Sequence, residues 1–152
     1  MAEFVYNEVQ SIPLNDAALL NDSIPCNKGY VIHQNGRGIL ILRGVVNNPC
    51  AKFARYKLTA NGNMALPTGG TVGPIAVAIT ENGELIPTSK AIQNPSAVNA
   101  YSNFTCTAII TVPACATVTV ALRNVDPDND PTTTPAPVVN IQNLNFVVER
   151  IA

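Results

Sequence analysis

The sequence predicts an all-β fold, a sandwich or barrel of about eight to ten strands in one domain. Val and Ile supply 16 and 13 of the 152 residues, and these β-branched residues favour strands. Turn signals recur at short intervals between short apolar segments, which is the spacing of all-β domains. Twelve prolines are spread along the chain and disfavour long helices. The length predicts one domain, residues 1–152, with a core of its own.

Composition also excludes several classes of function. The formal net charge is −1, and the 9 basic residues are scattered, so we expect no nucleic-acid partner. No apolar run approaches 20 residues, so we expect no bilayer-spanning segment. Trp is absent and aromatic residues make up 5% of the chain, which leaves no evident aromatic platform for stacking bases or sugars.

Residues 1–28 are expected to form an N-terminal strand and a loop. The chain becomes strand-like within a few residues of Met1, and Asp16 to Leu20 are expected to form one helical turn at most. The start lacks a basic segment followed by an apolar core, so we expect no secretory signal. The thiols should therefore begin reduced.

The cysteines are expected to be free, and a disulfide framework is the alternative. The four are Cys26, Cys50, Cys106 and Cys115. No pair has the close spacing of a zinc knuckle or a redox dithiol. Free cysteines are commonly small buried hydrophobic residues, so we expect that the fold does not need the thiols.

Three Asn-Gly pairs each predict a hairpin turn, at residues 35–36, 61–62 and 82–83. Asn-Gly between strand-like segments is the strongest short-range hairpin signal. The predicted flanking strands are Tyr30 to His33 and Gly38 to Val46, Phe53 to Ala60 and Asn63 to Leu66, and Ile75 to Thr80 and Glu84 to Ile86.

The segments Cys106 to Val112 and Ala116 to Leu122 predict a further hairpin. Even positions are apolar in both segments, so even positions should face each other if the two segments pair. A three-residue loop achieves this by pairing Ile110 with Val118. The last loop position, Cys115, would then need a left-handed backbone, which Gly normally supplies.

Residues 125–137 have no apolar periodicity and are expected to form a long exposed loop. Residues 138–151 follow, and Leu144, Phe146 and Val148 alternate there with more polar positions. A single strand is not stable alone, so this segment should return to the main sheet as a closing strand.

Two segments resemble a known family. Phe104 to Leu122 resembles the penultimate hairpin of bacterial and phage jelly rolls of the tumour-necrosis-factor type, in which a Thr/Ser-rich apolar strand, a turn and a Val/Thr strand follow one another. Asn143 to Ile151 resembles that family's last strand. The resemblance covers roughly Tyr30 to Ile151 and departs from the family at Cys115-Ala116, where Gly-Asp is usual.

The resemblance implies a two-sheet antiparallel jelly-roll sandwich that assembles as a compact homotrimer and acts as a binding or structural module, not as an enzyme. The Asn-rich composition also resembles auxiliary head proteins of tailed phages. The predicted function is therefore a structural virion protein, either a capsid decoration protein or a short head fibre. Its expected partner is the major capsid protein or another virion protein, and its expected location is the virion, assembled in the host cytoplasm.

Two alternatives remain open at this stage. One is a stand-alone trimer that binds a receptor or a host-surface glycan. The other is a spore-surface jelly-roll module, which normally carries a collagen-like or heptad stalk in the same chain; neither is found here.

Candidate chemistry is sparse, and we predict no catalytic residue and no cofactor. His33 is the only histidine and lies at a strand end, where it is more often a surface or hydrogen-bonded residue than a catalytic base. Glu81 and Glu84 flank a turn and are ordinary solvated residues rather than a glycosidase pair. Gly69 to Gly73 lacks the Lys-Ser/Thr of a phosphate-binding loop and is expected to connect strands.

The alternating carboxylates Asp126, Asp128 and Asp130 are the one candidate cation site. An EF-hand loop is excluded, since its Gly and Glu positions are occupied by Pro131 and Pro137. We therefore predict no metal site, with an exposed acidic loop as the default and a different kind of cation site as the alternative.

Overall fold

A computed structural model describes residues 1–24, 29–128 and 137–152. These residues form twelve β-strands and a three-residue 3₁₀ helix, Pro87–Ser89, between β8 and β9. In chain order the strands are β1 (Ala2–Tyr6), β2 (Gln10–Ile12), β3 (Asp22–Ile24), β4 (Val31–His33), β5 (Leu40–Arg43), β6 (Phe53–Ala65), β7 (Ile75–Glu81), β8 (Glu84–Leu85), β9 (Ala91–Gln93), β10 (Ser102–Pro113), β11 (Thr117–Val125) and β12 (Val139–Arg150). No helix of the described residues is long and apolar enough to span a membrane.

The strands form two antiparallel sheets. Sheet A has the order β10-β6-β12-β1-β3, and β2 pairs with the start of β12. Sheet B has the order β4-β5-β11-β7-β8, and β9 pairs with β7. The long strands β6, β7, β10, β11 and β12 alternate between the sheets, as in a jelly roll. The predicted two-sheet jelly-roll sandwich is confirmed.

The core lies between the inner faces of the two sheets, where alternate residues of each strand meet. Among the fully buried large side chains are Tyr56, Leu58, Ile141, Leu144 and Phe146 from sheet A, and Leu40, Leu42, Ile75, Ile79 and Leu122 from sheet B. This burial explains why the even positions are apolar in residues 104–112 of β10 and 144–148 of β12.

Strand β12 lies at the centre of sheet A, in the segment predicted as a closing strand. It pairs with β6 on one side and with β1 on the other. Phe146 of β12 lies opposite Phe4 of β1 and Ala60 of β6. The sheet is therefore divided into two parts if β12 is missing.

Two of the three predicted Asn-Gly hairpins are confirmed. Strands β4 and β5 pair around the first, and β7 and β8 pair around the third. Asn82 and Gly83 both have positive φ, at 50° and 85°, as a type I′ turn requires.

The second predicted hairpin is wrong, because Asn61 and Gly62 lie inside the continuous strand β6. A Cβ atom on Gly62 would lie 3.2 Å from the ring of Phe104 and 3.2 Å from the carbonyl oxygen of Gln142. Glycine is used here for close approach of the strands on either side, β10 and β12, and not for a turn. The local Asn-Gly signal contains no information about those two neighbours.

The predicted hairpin between residues 106 and 122 is also wrong in its pairing. Ile110 of β10 pairs with Tyr56 of β6, whereas Val118 of β11 pairs with Leu42 of β5. The two strands lie in different sheets and direct their even side chains into the same core. Cys115 has a φ of 60°, so the left-handed turn residue is confirmed.

Residues 16–20 form no helical turn. The segment is extended beside β11, and the Ala18 amide donates to the Leu122 carbonyl at 2.8 Å. The Asn15 amide donates to the Asn124 carbonyl, also at 2.8 Å. Pairing with β11 satisfies the backbone groups that a helical turn would have satisfied internally.

Of the predicted loop at residues 125–137, residues 129–136 lie outside the described part of the chain. Val125 is the buried last residue of β11, Pro127 is also buried, and Asp128 is exposed. The Lys90 ammonium donates to the Pro127 carbonyl at 3.1 Å. The beginning of this segment is therefore packed against the sandwich and is not exposed throughout.

Candidate interaction surfaces

The sole histidine has structural contacts. His33 ends β4, and its Nε2 lies 2.8 Å from the Arg37 carbonyl oxygen. A carbonyl only accepts, so Nε2 carries the proton, and Nδ1 is buried without a hydrogen-bond partner. The ring packs edge-on against Phe4, with centroids 4.9 Å apart. These contacts join β4 to sheet A and do not form a catalytic pair.

Glu81 and Glu84 lie opposite each other across the β7–β8 hairpin. They border a concavity of about 410 Å³ that Asn82 also lines. The side-chain oxygen of Asn82 accepts from the Thr119 amide at 3.0 Å, which ties this turn to β11. The two glutamates are thus turn residues, as the sequence predicted.

The candidate cation site is only partly described, because Asp130 lies outside the described residues. The Asp126 carboxylate accepts from the Asp128 amide at 2.9 Å, which is a local turn contact. Within residues 1–24, 29–128 and 137–152, no group of three His, Cys, Asp or Glu side chains could hold a metal ion.

The glycine-rich segment connects strands, as predicted. Gly69 and Gly70 lie between β6 and β7 and line a cavity of about 330 Å³ together with Leu66 and Val138. The lining is mainly backbone and apolar side chains, and no Lys, Arg or His side chain contributes to it.

The described cysteines differ in exposure. Cys106 is buried, and its thiol lies 3.6 Å from the Val77 carbonyl, to which it donates. Burial raises the pKa of Cys106 to about 12, because desolvation disfavours the thiolate. Cys50 and Cys115 are exposed and free, and Cys26 lies outside the described residues.

The outer face of sheet A is rich in Thr and Asn where β10, β6 and β12 run side by side. We call this surface the Thr/Asn face; it consists of Thr105, Thr107, Ile109 and Thr111 of β10, Thr59, Asn61 and Asn63 of β6, and Asn145 and Val147 of β12. Its residues align in rows across the sheet, for example Thr107, Thr59 and Val147. Charged side chains lie among these rows: Lys57 and Glu149 share the row of Ile109, and Arg55 lies opposite Thr111. The side chains at its centre are short, so the surface is flat.

Hydrogen bonds between side chains fix part of this face. The Asn61 amide nitrogen donates to Asn145 Oδ1 at 3.3 Å, and the Asn145 amide nitrogen donates to the Glu3 carboxylate. A β-bulge in β12 follows, where Asn143 has a φ of 55°. Beside it lies a concavity of about 340 Å³, which we call the asparagine concavity; its amides are Asn61, Asn63, Asn103, Asn143 and Asn145.

Strand β10 forms an unusual sheet edge. In the described part of the chain, the other edges end in strands of two or three residues, β3, β4, β8 and β9. By contrast, β10 has 12 residues, none of them charged. Gln93 contacts its first residues, through Ser102 and the Asn103 carbonyl, and the Pro87–Ser89 helix also contacts β10. Natural proteins usually shorten, charge or cover such an edge, since it offers unpaired backbone groups to another chain.

The outer face of sheet B is partly covered by the chain itself. Ala76, Ala78 and Val125 form a small buried cluster there, and Leu85 packs against it. At the edge of β7, the Ser89 hydroxyl accepts from the Ile79 amide at 2.9 Å. The result is that β7 is buried on both faces over six of its seven residues.

The remaining outer face of sheet B carries an apolar groove of about 740 Å³. Leu19, Ile32 and Ile39 line it and are each 44–45% exposed. Arg37 and Arg123 lie at its rim. The Arg123 guanidinium is held in place by the Asn15 carbonyl at 2.8 Å and by Thr80 at 3.2 Å.

Comparison with known proteins gives distant structural neighbours only. No protein-family model matches the sequence, and no curated protein matches it. The globular domain of a zebrafish complement 1qA protein aligns over 96% of this chain and 94% of its own, with 8% identity and a TM-score of 0.47. The CBM35 of Cellvibrio japonicus Abf62 aligns over 100% and 99%, with 14% identity and a TM-score of 0.33. The CBM22-1 xylan-binding domain of Paenibacillus barcinonensis Xyn10C aligns over 99% and 87%, with 11% identity and a TM-score of 0.33.

Proposed function

We propose that the protein is a non-catalytic structural module that acts as a homotrimer, and that the trimer decorates the capsid or forms a short head fibre of a tailed phage. The observation that carries the trimer is the Thr/Asn face together with the uncharged 12-residue edge of β10. Both features leave uncharged side chains and unpaired backbone groups of one sheet open, which favours association with another chain.

The size of the surface can be compared with that of a stable interface. The three strands that carry the Thr/Asn face, at a spacing of about 4.8 Å and a length of about 30 Å, give it a flat area of about 430 Å². A standard interface buries about 800 Å² on each partner. The face therefore supplies about half of that area, and the β10 edge with the loops beside it would supply the rest of the proposed contact; obligate assemblies bury more, above about 2,000 Å² in total.

The geometry favours a ring. The β10 edge of one copy and the Thr/Asn face of the next are different surfaces, so their contact is heterologous, and heterologous contacts that close form rings. Three copies form the smallest ring of this kind that is not a dimer. Since the nine residues that define the face are uncharged, we expect the association to depend little on salt.

The trimer would act through repeated weak contacts. Three identical sets of loops at each end of the ring bind a symmetric shell position together, and effective concentration then multiplies the affinity of each contact. The proposed partner is the major capsid protein or another virion protein, and the proposed location is the virion, after assembly in the host cytoplasm.

The test is mass photometry at nanomolar concentration, followed by negative-stain imaging and by mixing with naked capsids. We expect about 48 kDa, three times the 16.0 kDa chain mass, from low to molar salt. Thr107→Lys places a charge on the Thr/Asn face and should give a monomer. Thr71→Lys, at an exposed loop position away from that face, should remain trimeric. A monomeric wild-type protein would reject both the assembly and the decoration mechanism built on it.

A second candidate function is binding of a neutral glycan by the same trimer. The asparagine concavity favours it, because side-chain amides both donate to and accept from sugar hydroxyls. A glycan array tests this candidate: signal that Asn63→Ala abolishes, without affinity for capsids, would replace the decoration function. Signal that Asn63→Ala leaves unchanged would place the glycan elsewhere.

A further inference from the structure

The two exposed thiols of the described chain lie at the same end of the sandwich, although they are far apart in sequence. Cys115 lies in the turn from β10 to β11, and Cys50 lies in the loop from β5 to β6. The Cys115 amide donates to the Val45 carbonyl at 2.9 Å. The Ala114 amide donates to the Lys52 carbonyl, also at 2.9 Å. Both ends of the loop 46–51 are therefore fastened to the Ala114-Cys115 dipeptide.

Chain geometry sets an upper limit on the separation of the two cysteines. Neighbouring Cα atoms are about 3.8 Å apart, so the Cα of Cys50 lies within about 7.6 Å of that of Lys52. Lys52 is itself hydrogen-bonded to the residue before Cys115, so the two cysteine Cα atoms lie within about 17 Å of each other. A disulfide needs Cα atoms within about 7 Å. The movement that closes the difference falls on an exposed loop and not on a strand.

The loop can supply that adjustment without loss of sheet pairing. Its turn is held by local bonds, in which the Cys50 amide donates to Asn48 Oδ1 at 3.1 Å and the Ala51 amide donates to the Asn48 carbonyl at 3.3 Å. Residues 47–50 are exposed, and none belongs to a strand. Shifting this turn leaves the strand pairs on either side intact.

The position of Cys115 adds a second observation. It holds a left-handed φ of 60°, where a residue with a side chain is strained and Gly is usual. The strained turn directs an exposed thiol toward solvent beside the loop that carries Cys50. The buried Cys106 has no such access, so oxidants should discriminate among the three described thiols.

We propose that Cys50 and Cys115 form a modification site that a peroxide closes to a disulfide. One thiol attacks hydrogen peroxide, which breaks the O–O bond and gives a sulfenic acid and one water. The second thiol attacks that sulfur and displaces the second water. Two thiol hydrogens and two electrons pass to the peroxide, and one S–S bond forms. The bond fixes the loop 46–51 to the turn at 113–116.

The experiment exposes the full-length protein to stoichiometric hydrogen peroxide and maps its peptides without reduction. We expect a Cys50–Cys115 peptide, a loss of two hydrogen atoms per chain, and a Tm about 5–10 °C higher than that of the reduced protein. Cys50→Ser and Cys115→Ser should each abolish the peptide and the shift in Tm. Cys26→Ser is the matched control, since it removes a thiol outside the pair, and should retain both.

A second measurement probes the reduced protein. Phenylarsine oxide bridges two neighbouring thiols, so one arsenical should bind per chain, and Cys50→Ser should prevent it. Bridging between chains, pairing of either thiol with Cys26, or oxidation to sulfinic acid alone would overturn the proposal. Failure of the reduced wild-type protein to bind the arsenical would overturn it as well. None of these outcomes depends on whether the protein is a trimer.

Discussion

The outer faces of sheet B and sheet A differ in how much of each face the chain itself covers. Over β7, sheet B is covered by the chain's own segments, and Ala76, Ala78 and Val125 are buried beneath them. Over β10 and β6, the outer face of sheet A is exposed to solvent, and its side chains include several Thr and Asn residues. Strand β7 is accordingly buried at six consecutive positions, whereas β10 alternates between buried and exposed residues.

This difference shows that the spacing of buried residues along a strand depends on how many of its faces are covered. A strand that is covered on both sides is a continuous apolar run, and a strand with one open face alternates. The alternating polar residues of β10 are uncharged, however, and solvent-facing residues of an edge strand are usually charged. The uncharged edge strand of sheet A supports the proposed contact with another chain.

The largest expected effect comes from placing the same charge on each outer face. Ala78→Asp buries a carboxylate beneath the segment that covers β7 and should cost about 5 kcal/mol or prevent folding, since the charge has no partner there. Thr59→Asp places it on the Thr/Asn face and should preserve the fold while abolishing the trimer. Urea unfolding and mass photometry distinguish the two outcomes. Equal stability of wild type and Ala78→Asp would contradict the difference between the faces.

The next test compares neighbouring residues on opposite faces of β12. Phe146 is 1% exposed, so Phe146→Ala should lower the free energy of unfolding by about 3–5 kcal/mol. Val147 points to the outer face, and Val147→Ala should cost less than about 1 kcal/mol in the monomer. Both are measured by urea unfolding in the monomeric Thr107→Lys background. Similar losses for the two would show that β12 is covered on both faces.

A smaller effect is expected from loosening the segment along the edge of β7, between β8 and β9. Ser89→Ala removes the acceptor of the Ile79 amide and the donor to the Ile86 carbonyl, which lies 2.7 Å away. Leaving a buried amide unpaired should cost about 1–3 kcal/mol. Hydrogen exchange should accelerate at Ile79. The exposed Ser96→Ala is the control and should leave both quantities unchanged.

The smallest effect is a pH dependence from the inner face of β10. Burial raises the pKa of Cys106 from 9.0 to about 12, so the unfolded chain releases this proton first. The stabilisation is complete below pH 9 and is lost as the pH rises toward 12, by up to about 1.4 kcal/mol per pH unit. Between pH 8 and pH 10, wild type should lose about 1.4 kcal/mol more than Cys106→Ala. Parallel losses in urea unfolding would show that the thiol is solvated.

Sequence patterns predicted the faces of the strands better than their partners. The apolar even positions of residues 106–112 and 118–122 are buried, in line with the predicted alternation, because alternation depends only on the local chain. Their pairing was predicted wrongly, since the turn at Cys115 passes from one sheet to the other. The Asn-Gly signal at 61–62 failed for a related reason, because Gly62 serves the close approach of Phe104.

The candidate surfaces were harder to predict from the sequence. Thr105, Thr107 and Thr111 were visible as alternating polar residues, but their role depends on β10 being an edge strand, which only the order of the sheet determines. The nearness of Cys50 and Cys115 depends on two backbone hydrogen bonds between distant segments. Neither arrangement has a local signal in the residues themselves.

The central place of β12 has a consequence for how the molecule folds. This strand follows every other described strand in the chain, yet it lies between β1 and β6. Sheet A therefore cannot form strand by strand as the chain is synthesised. The final step is the insertion of β12 between the unpaired edges of β1 and β6. Such long-range pairing makes folding slow, on the order of milliseconds to seconds. During that interval the edges of β1 and β6 are open to a strand from another copy, so strand exchange between chains competes with correct closure.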